Sequence, residues 1–120
     1  MLQKKYRLRK NIEFVATYAQ RKYVSNSCIT LNLGKQKPFE DYVSKVAFVV
    51  SKKIDKRAVK RNLIKRRMRE AFKILMSENV QYTKWMSLIF TAKKECLVSD
   101  FQKIKSEMKQ ALDKAIIKYD

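Results

Sequence analysis

A segment with helical periodicity at about residues 57–76 constrains the fold of this chain more than any other feature. Its apolar residues recur three and four positions apart and form one stripe, which consists of Ile64, Met68, Ala71, Phe72 and Leu75. Such a stripe predicts a helix that covers a hydrophobic core on one side. Strand-like segments precede and follow it, so the helix is expected to connect two strands by a crossover within an α+β domain.

Three strands and two more helices are predicted around this segment. Apolar and polar residues alternate at 27–33, 45–51 and 86–92, and the only glycine and proline lie in the loop at 34–44. The first helix is predicted to open at Asn11 and the last at Ser99, since both residue types are good N-caps. The resulting order is α-β-β-α-β-α, with an extra short strand possible, in one domain over residues 1–120 with one sheet covered by helices.

Positive charge is concentrated on the side of the central helix opposite the stripe. The chain carries a formal net charge of +18, and residues 52–73 hold eleven Lys and Arg against two acids. The residues on that side, which we call the basic face, are Asn62, Lys65, Arg66, Arg69 and Lys73. Solvated helix faces usually interleave acids with bases, and like charges four residues apart destabilise a helix unless a partner neutralises them. The basic face therefore favours a polyanion ligand over a merely solvated surface.

Nucleic acid is the favoured polyanion. Arginine dominates the middle of the basic face, and its planar guanidinium suits phosphates and bases, whereas a membrane-surface helix would need its apolar stripe exposed. The chain has no histidine, so the commonest general base and the commonest zinc ligand are absent, and we assign no catalytic group and no metal ligand.

The remaining composition indicates a protein of the reducing cytoplasm. Cys28 and Cys96 lie in unrelated stretches without CxxC spacing, so neither a metal site nor a disulfide framework is expected. The basic N-terminus lacks the apolar core of a signal peptide, and the longest apolar run, at 46–50, is far too short to span a membrane.

The central helix resembles the signature of the protein subunit of bacterial ribonuclease P. That family's helix reads Ala-Val-x-Arg-Asn-Arg-x-Lys-Arg-x-x-Arg, and the corresponding residues here are Ala58, Val59, Arg61, Asn62, Lys65, Arg66 and Arg69. A Val-Ser-Lys-Lys element precedes it at 50–53, and the basic residues 7–10, followed by Phe14 and Tyr18, are similar to the family's opening. The resemblance covers roughly residues 5–118.

Three positions depart from the family pattern. Leu63 stands where the family has an arginine, and Arg67 lies one turn later, where it is expected to supply a displaced phosphate contact while Leu63 packs. Arg21 takes the place of the family's glycine after the first helix. Asn32 lacks the aromatic ring that some members carry near this position, which weakens the expectation of base stacking from that strand.

The resemblance implies a protein that binds a large catalytic RNA and assists it in removing the 5′ leader of precursor tRNA. The RNA carries the chemistry with Mg²⁺ held mainly by the RNA, so the protein is the non-catalytic subunit of an endoribonuclease. The fold implied is a small α/β sandwich with a left-handed crossover, although most crossovers are right-handed. The expected partners are ribonuclease P RNA and precursor tRNA, no membrane is expected, and the protein alone is expected to be a monomer.

Two surfaces are assigned by the same resemblance. The surface for the catalytic RNA comprises Arg57, Arg61, Asn62, Lys65, Arg66, Arg67 and Arg69. The surface for the leader is a cleft between the first helix and the open face of the sheet, and it comprises Phe14, Tyr18, Thr30, Asn32, Ser51, Lys52 and Lys53. Phe14 and Tyr18 lie one helical turn apart and are suited to stacking on unpaired bases; core packing is the alternative role of Phe14.

Two other classes of protein share the size and charge of this chain. A non-enzymatic RNA-binding protein, such as a ribosomal component, is one of them. A DNA-binding module is the other, but it would need paired helices joined by a short turn, and the strand before the central helix argues against it. Collinear resemblance over nearly the whole chain favours the ribonuclease P subunit.

Overall fold

The helices and strands follow the predicted order, with one additional strand. The computed structural model describes residues 6–119; the first five residues of the basic N-terminus and Asp120 lie outside the described residues. The elements are α1 (Asn11–Ala19), β1 (Lys22–Ser25), β2 (Ile29–Leu33), β3 (Lys45–Val49), α2 (Ala58–Glu78), β4 (Ser87–Ala92) and α3 (Phe101–Tyr119). Short 3₁₀ helices follow α2 at Val80–Thr83 and β4 at Lys94–Val98. The α+β class is confirmed, and the extra strand is β1.

The four strands form one sheet in the order β1-β2-β4-β3. The pairs β1/β2 and β2/β4 are antiparallel, whereas β3 and β4 run parallel and are joined by α2. This parallel pair confirms the predicted crossover, because parallel neighbours cannot be joined by a tight turn. The left-handedness of the crossover stays a prediction from the resemblance.

The main core lies between one side of the sheet and the helices α2 and α3. The stripe predicted for α2 is buried at every position, and it packs toward α3 and β3. Phe48 and Phe90 are paired in register and their rings stack at a centroid distance of 5.7 Å, with Phe72 of α2 tilted against Phe90 at 5.6 Å. Trp85 is fully buried, as expected for a packing residue.

The other side of the sheet is covered in part by α1 and the segment before it. Leu8, Ala47 and Ile89 form a small second cluster, and half-buried Phe14 packs against it. The Lys45 ammonium lies 2.8 Å from the Glu13 carboxylate, and this hydrogen bond lowers the pKa of Glu13. These contacts tie α1 and the segment before it to the open side of the sheet, where α1 packs mainly against β4 and β2.

Gly34 allows the chain to pass close to β4. Its N–H donates to the Ser87 carbonyl oxygen at 2.9 Å, and a Cβ at this position would collide with the Ser87 hydroxyl. That hydroxyl also shares a hydrogen bond of 2.5 Å with the Thr17 hydroxyl of α1. The start of the loop after β2 is therefore fixed against β4, and β4 is in turn linked to α1.

The predicted N-caps are each one residue from the observed ones. Lys10 is the N-cap of α1, and the Glu13 carboxylate accepts from its backbone N–H at 3.3 Å; Asn11 is already helical. At α3 the Asp100 carboxylate accepts from the Lys103 N–H at 2.9 Å. Ser99 instead donates its hydroxyl to the Glu95 carbonyl oxygen at 2.6 Å, so it closes the preceding 3₁₀ helix.

The two cysteines, which lie far apart in the sequence, meet in the core. The Sγ atoms of Cys28 and Cys96 are 2.8 Å apart, and both are free, buried thiols. The hydrogen bond from Cys96 lowers the pKa of Cys28, while this contact and burial raise the pKa of Cys96. No spacing motif signals a contact across 68 positions, so the sequence could not predict it.

Candidate nucleic-acid interface

The basic face of α2 lies on the outside of the molecule, opposite the buried stripe. Asn62 and Arg66 are exposed, and the other members are half-buried. Residues 6–119 form two ion pairs with one another, and neither includes a residue of the basic face. Adjacent like charges on a helix are unfavourable without a counter-charge. An anionic ligand would supply the missing counter-charge.

Arg57 and Arg61 hold the turn that leads into α2. The Arg57 guanidinium lies 3.0 Å from the Asp55 carboxylate, which lowers the pKa of Asp55 and raises that of Arg57 through their hydrogen bonds. Arg61 donates through Nη1 to the carbonyl oxygens of Asp55 and Lys56, at 3.0 and 2.8 Å. Arg57 is exposed on the surface, whereas Arg61 also has a structural role at this turn.

Arg67 and Leu63 lie at the margin of the basic face. Arg67 is half-buried, and its Nη1 donates to the Ser99 carbonyl oxygen at 3.3 Å, which links α2 to the start of α3. Leu63 is half-buried as well. An arginine has five N–H donors, so this hydrogen bond leaves donors for a phosphate, and the displaced contact stays a prediction.

A groove lies along β3 at the edge of the sheet, between α2 and the segment that leads into α1. It has a volume of about 320 Å³. The Leu8 N–H donates to the Val46 carbonyl oxygen at 3.0 Å and so ties that segment to the strand. The groove is lined by cationic, aromatic and aliphatic side chains, which include Arg9, Phe14, Phe48, Val49, Lys65 and Arg69. The groove thus joins Phe14, predicted for the leader, with Lys65 and Arg69, predicted for the catalytic RNA.

The remaining predicted leader residues on α1 and β2 lie outside the wall of this groove. Tyr18 is 44% exposed on α1. Thr30 and Asn32 are half-buried on the side of the sheet that α1 covers only in part, opposite Thr91 and Ile89 of β4. Thr30 and Asn32 thus lie on the same side of the sheet, while the contact of all three residues with RNA stays a prediction.

The predicted leader residues after β3 form a turn. The Ser51 hydroxyl accepts from the Lys53 N–H at 3.0 Å, and the side chains of Lys52 and Lys53 are exposed. Ser51 therefore shapes the turn, and the two lysines add positive charge beyond the end of β3.

Sequence reasoning missed the contribution of the segment before α1. Arg7 and Arg9 line the groove, and Arg7 forms an isolated parallel bridge with Val46. The signal was present as a basic cluster in the first 22 residues. Because a single bridge has no periodic pattern, its place beside β3 could not be predicted from the sequence.

The described part of the chain has neither a metal-ligand cluster nor a membrane-spanning helix. Residues 6–119 contain no group of three or more His, Cys, Asp or Glu side chains able to hold a metal ion. None of the helices in that range is both long and apolar enough to cross a membrane.

The fold and the interface define the class of the protein. A four-stranded α+β domain presents an unneutralised cationic helix face beside a groove with aromatic walls. Cations that contact phosphates and rings that stack on bases are the two elements of single-stranded nucleic-acid binding. The protein is a small nucleic-acid-binding domain of the α+β class.

Comparison with known proteins gives the family. The sequence model of the family described as Ribonuclease P matches residues 2–116. The chain is 34% identical over 114 residues to the ribonuclease P protein component of Nitrosomonas eutropha, with 95% of this chain and 90% of that protein covered. It is 33% identical over 119 residues to the component from Clostridium botulinum strain Alaska E43, with 96% and 92% covered.

A solved structure agrees with these relatives. The Staphylococcus aureus RNase P protein superposes with a TM-score of 0.77 at 27% identity, over 92% of this chain and 94% of that one. The chain belongs to the ribonuclease P protein family, whose members act with ribonuclease P RNA in tRNA processing. These matches favour that assignment over the ribosomal and DNA-binding alternatives.

Proposed function

We propose that the basic face of α2 binds ribonuclease P RNA while the groove along β3 receives the 5′ leader of precursor tRNA. The observation that carries this proposal is the groove itself, where Phe14 faces the same space as Lys65 and Arg69. One continuous surface thus offers a ring for an unpaired base and cations for phosphates. A protein that holds the leader and the catalytic RNA at once favours the complex in which the cleavage site is aligned.

The protein's own contribution is binding rather than bond cleavage. Arg66 and its neighbours on the basic face neutralise RNA phosphates, and binding releases condensed counterions. The RNA would carry the chemistry and hold most of the Mg²⁺, which supplies an activated water at the scissile phosphate. Residues 6–119 contain no group of three or more His, Cys, Asp or Glu side chains that could hold such an ion. The protein would raise the affinity of the complex for substrate and for Mg²⁺.

The leader is proposed to continue from the groove onto the open side of the sheet. Phe14 would stack on an unpaired base of the leader. The hydroxyl group of Thr30 and the amide group of Asn32 would contact leader nucleotides further along the RNA. Lys52 and Lys53, exposed after β3, would contact phosphates. We further propose that the protein acts in the cytoplasm and is a monomer before it binds RNA.

Cleavage of precursor tRNA at low Mg²⁺ tests this function. Ribonuclease P RNA from the source organism is assayed with and without the protein, and the 5′ end of the product is mapped. Strong stimulation at the mature 5′ end is expected with the protein. Intact RNA binding without stimulation would contradict the proposed function.

Variants then separate the two surfaces. Phe14→Ala should weaken binding of precursor tRNA by the holoenzyme but leave binding of mature tRNA unchanged, since only the precursor has a leader. Arg66→Ala should weaken binding of the protein to ribonuclease P RNA. Equal losses for precursor and mature tRNA with Phe14→Ala would contradict the role of the groove.

A further inference from the structure

Part of the open side of the sheet remains uncovered, and this part ends at the exposed aromatic ring of Tyr23. Ala47 and Ile89 lie beneath α1, whereas Ser25 is exposed and Thr30 and Thr91 are half-buried. Val49 of the groove wall pairs with Thr91, Thr91 with Thr30 and Thr30 with Ser25, so one cross-strand row connects the groove to β1. Next to this row, on the same side, Tyr23 is 53% exposed.

The backbone of Tyr23 is held firmly at the edge of the sheet. The Tyr119 hydroxyl accepts from the Tyr23 N–H and donates to the Tyr23 carbonyl oxygen, both at 3.1 Å. Both backbone groups therefore point away from β2 and are satisfied by α3. An exposed edge strand would otherwise be open to pairing with another strand. The ring of Tyr23 thus projects from a fixed strand, which lowers the entropy cost of binding to it.

One cation lies over this ring and a second precedes it in the sequence. The Lys118 ammonium lies 5.6 Å from the centroid of the Tyr23 ring and covers one face of it. Arg21 lies two residues before Tyr23 and is exposed. Neither Arg21 nor Lys118 forms an ion pair with another residue of the range 6–119.

The backbone of Arg21 carries strain that a glycine would not. Its φ is +52°, the left-handed region, and it is the one non-glycine residue between 6 and 119 with a positive φ. This conformation is unfavourable for a residue that carries a Cβ atom. A residue held in a strained backbone conformation is a candidate for a functional role. Arg21 is such a residue, and it is an exposed cation two positions before the exposed Tyr23 ring.

We propose that Arg21, Tyr23 and Lys118, which we call the β1 patch, form a second nucleotide-binding site for the distal part of the leader. One base stacks on the free face of the Tyr23 ring, and Arg21 and Lys118 contact the flanking phosphates. This inference rests on the proposed leader path through the groove. Three strand spacings separate β3 from β1, about 14 Å, which corresponds to about four stacked nucleotides at roughly 3.4 Å each.

Leader length tests the β1 patch in the assembled holoenzyme. Binding of precursor tRNA is measured with a one-nucleotide leader and with a leader of about ten nucleotides, which is long enough to cross the sheet. Tyr23→Ala should weaken binding of the long-leader substrate about tenfold or more, within the range for one stacked base, and leave the short-leader substrate unchanged. Tyr23→Phe, which keeps the ring, should bind like the wild type.

Two further variants distinguish binding from folding. Arg21→Gly removes the charge and the backbone strain together, so its thermal unfolding midpoint should not fall while its affinity for the long leader does. Phe39→Ala removes another exposed ring, which lies in the loop after β2 at 60% exposure, and it should bind both substrates normally. A fall in stability that matches the loss of affinity would contradict the proposal.

The two variants distinguish the proposal for the β1 patch from the proposal that the groove binds the leader. If Phe14→Ala weakens binding of the long leader and Tyr23→Ala does not, the leader path stands and the β1 patch is wrong. If Tyr23→Ala weakens both leader lengths equally, the residue acts on the catalytic RNA or the fold, and the proposal is also overturned. If neither variant weakens binding, both proposals are wrong.

Discussion

The two sides of α2 carry opposite chemistry over the same turns. One side is the buried stripe, which holds no charge and packs toward α3 and β3. The other is the basic face, which has no acidic partner among residues 6–119. Stability and RNA binding therefore depend on different residues of one helix. Substitutions on the two sides should change one property without the other.

The largest effect is expected on the buried side. Phe72→Ala should lower the free energy of unfolding by about 3–5 kcal/mol, because it removes a fully buried ring that contacts Phe48 and Phe90. Urea unfolding measures the loss. The folded fraction should still bind ribonuclease P RNA, and a loss below about 1 kcal/mol would contradict the placement of this ring in the core.

The double variant Arg66→Ala, Arg69→Ala should have the opposite profile. Each arginine is expected to contribute a charged hydrogen bond to phosphate of about 1.5 kcal/mol or more, so affinity for ribonuclease P RNA should fall about a hundredfold. The free energy of unfolding should change by less than about 1 kcal/mol, since surface substitutions usually have small effects. Normal affinity in this variant would contradict the assignment of RNA binding to the basic face.

Arg61 is expected to contribute both to stability and to RNA binding. Arg61→Ala should cost about 1–2 kcal/mol of stability, because Nη1 bonds two backbone carbonyl oxygens before α2. It should also weaken RNA binding, but less than the loss of Arg66. If its stability is unchanged while RNA binding falls strongly, the guanidinium serves RNA rather than the turn.

The smallest effect is expected at the ion pair that joins α1 to β3. Glu13 pairs with Lys45 and has a lowered pKa, so this contact stabilises the fold above the ordinary pKa of about 4.5 and is lost as pH falls through the lowered value. Glu13→Gln should therefore lower stability near neutral pH by under about 1 kcal/mol. The difference from the wild type should vanish in acid, as thermal unfolding across pH would show.

Local periodicity explains which parts of the fold were predictable. The buried stripe of α2 was predicted residue by residue, since a helix repeats its environment every 3.6 positions. Alternation located three of the four strands, whereas β1 has only four residues and gives too short a pattern. Both N-caps differ from the predicted residues by one position. Lys10 rather than Asn11 precedes α1, and Asp100 rather than Ser99 precedes α3.

The candidate site was predictable only where one element carries it. The basic face follows from the sequence of α2 alone. The groove needs Arg9 from the N-terminal segment, Val49 from β3 and Lys65 from α2 at one place, and no pattern within a single segment encodes that meeting. For the same reason the contact between Tyr23 and Lys118, at opposite ends of the chain, is visible only in the folded protein.

The salt dependence of binding to ribonuclease P RNA tests whether the basic face of α2 contacts the RNA. The logarithm of the association constant is measured against the logarithm of salt concentration for the wild type and for Arg66→Ala, Arg69→Ala. Each phosphate contact contributes about one to the magnitude of this slope. We therefore expect the slope of the double variant to be smaller by about two, while its unfolding midpoint is unchanged. An unchanged slope would show that the basic face of α2 does not contact the RNA.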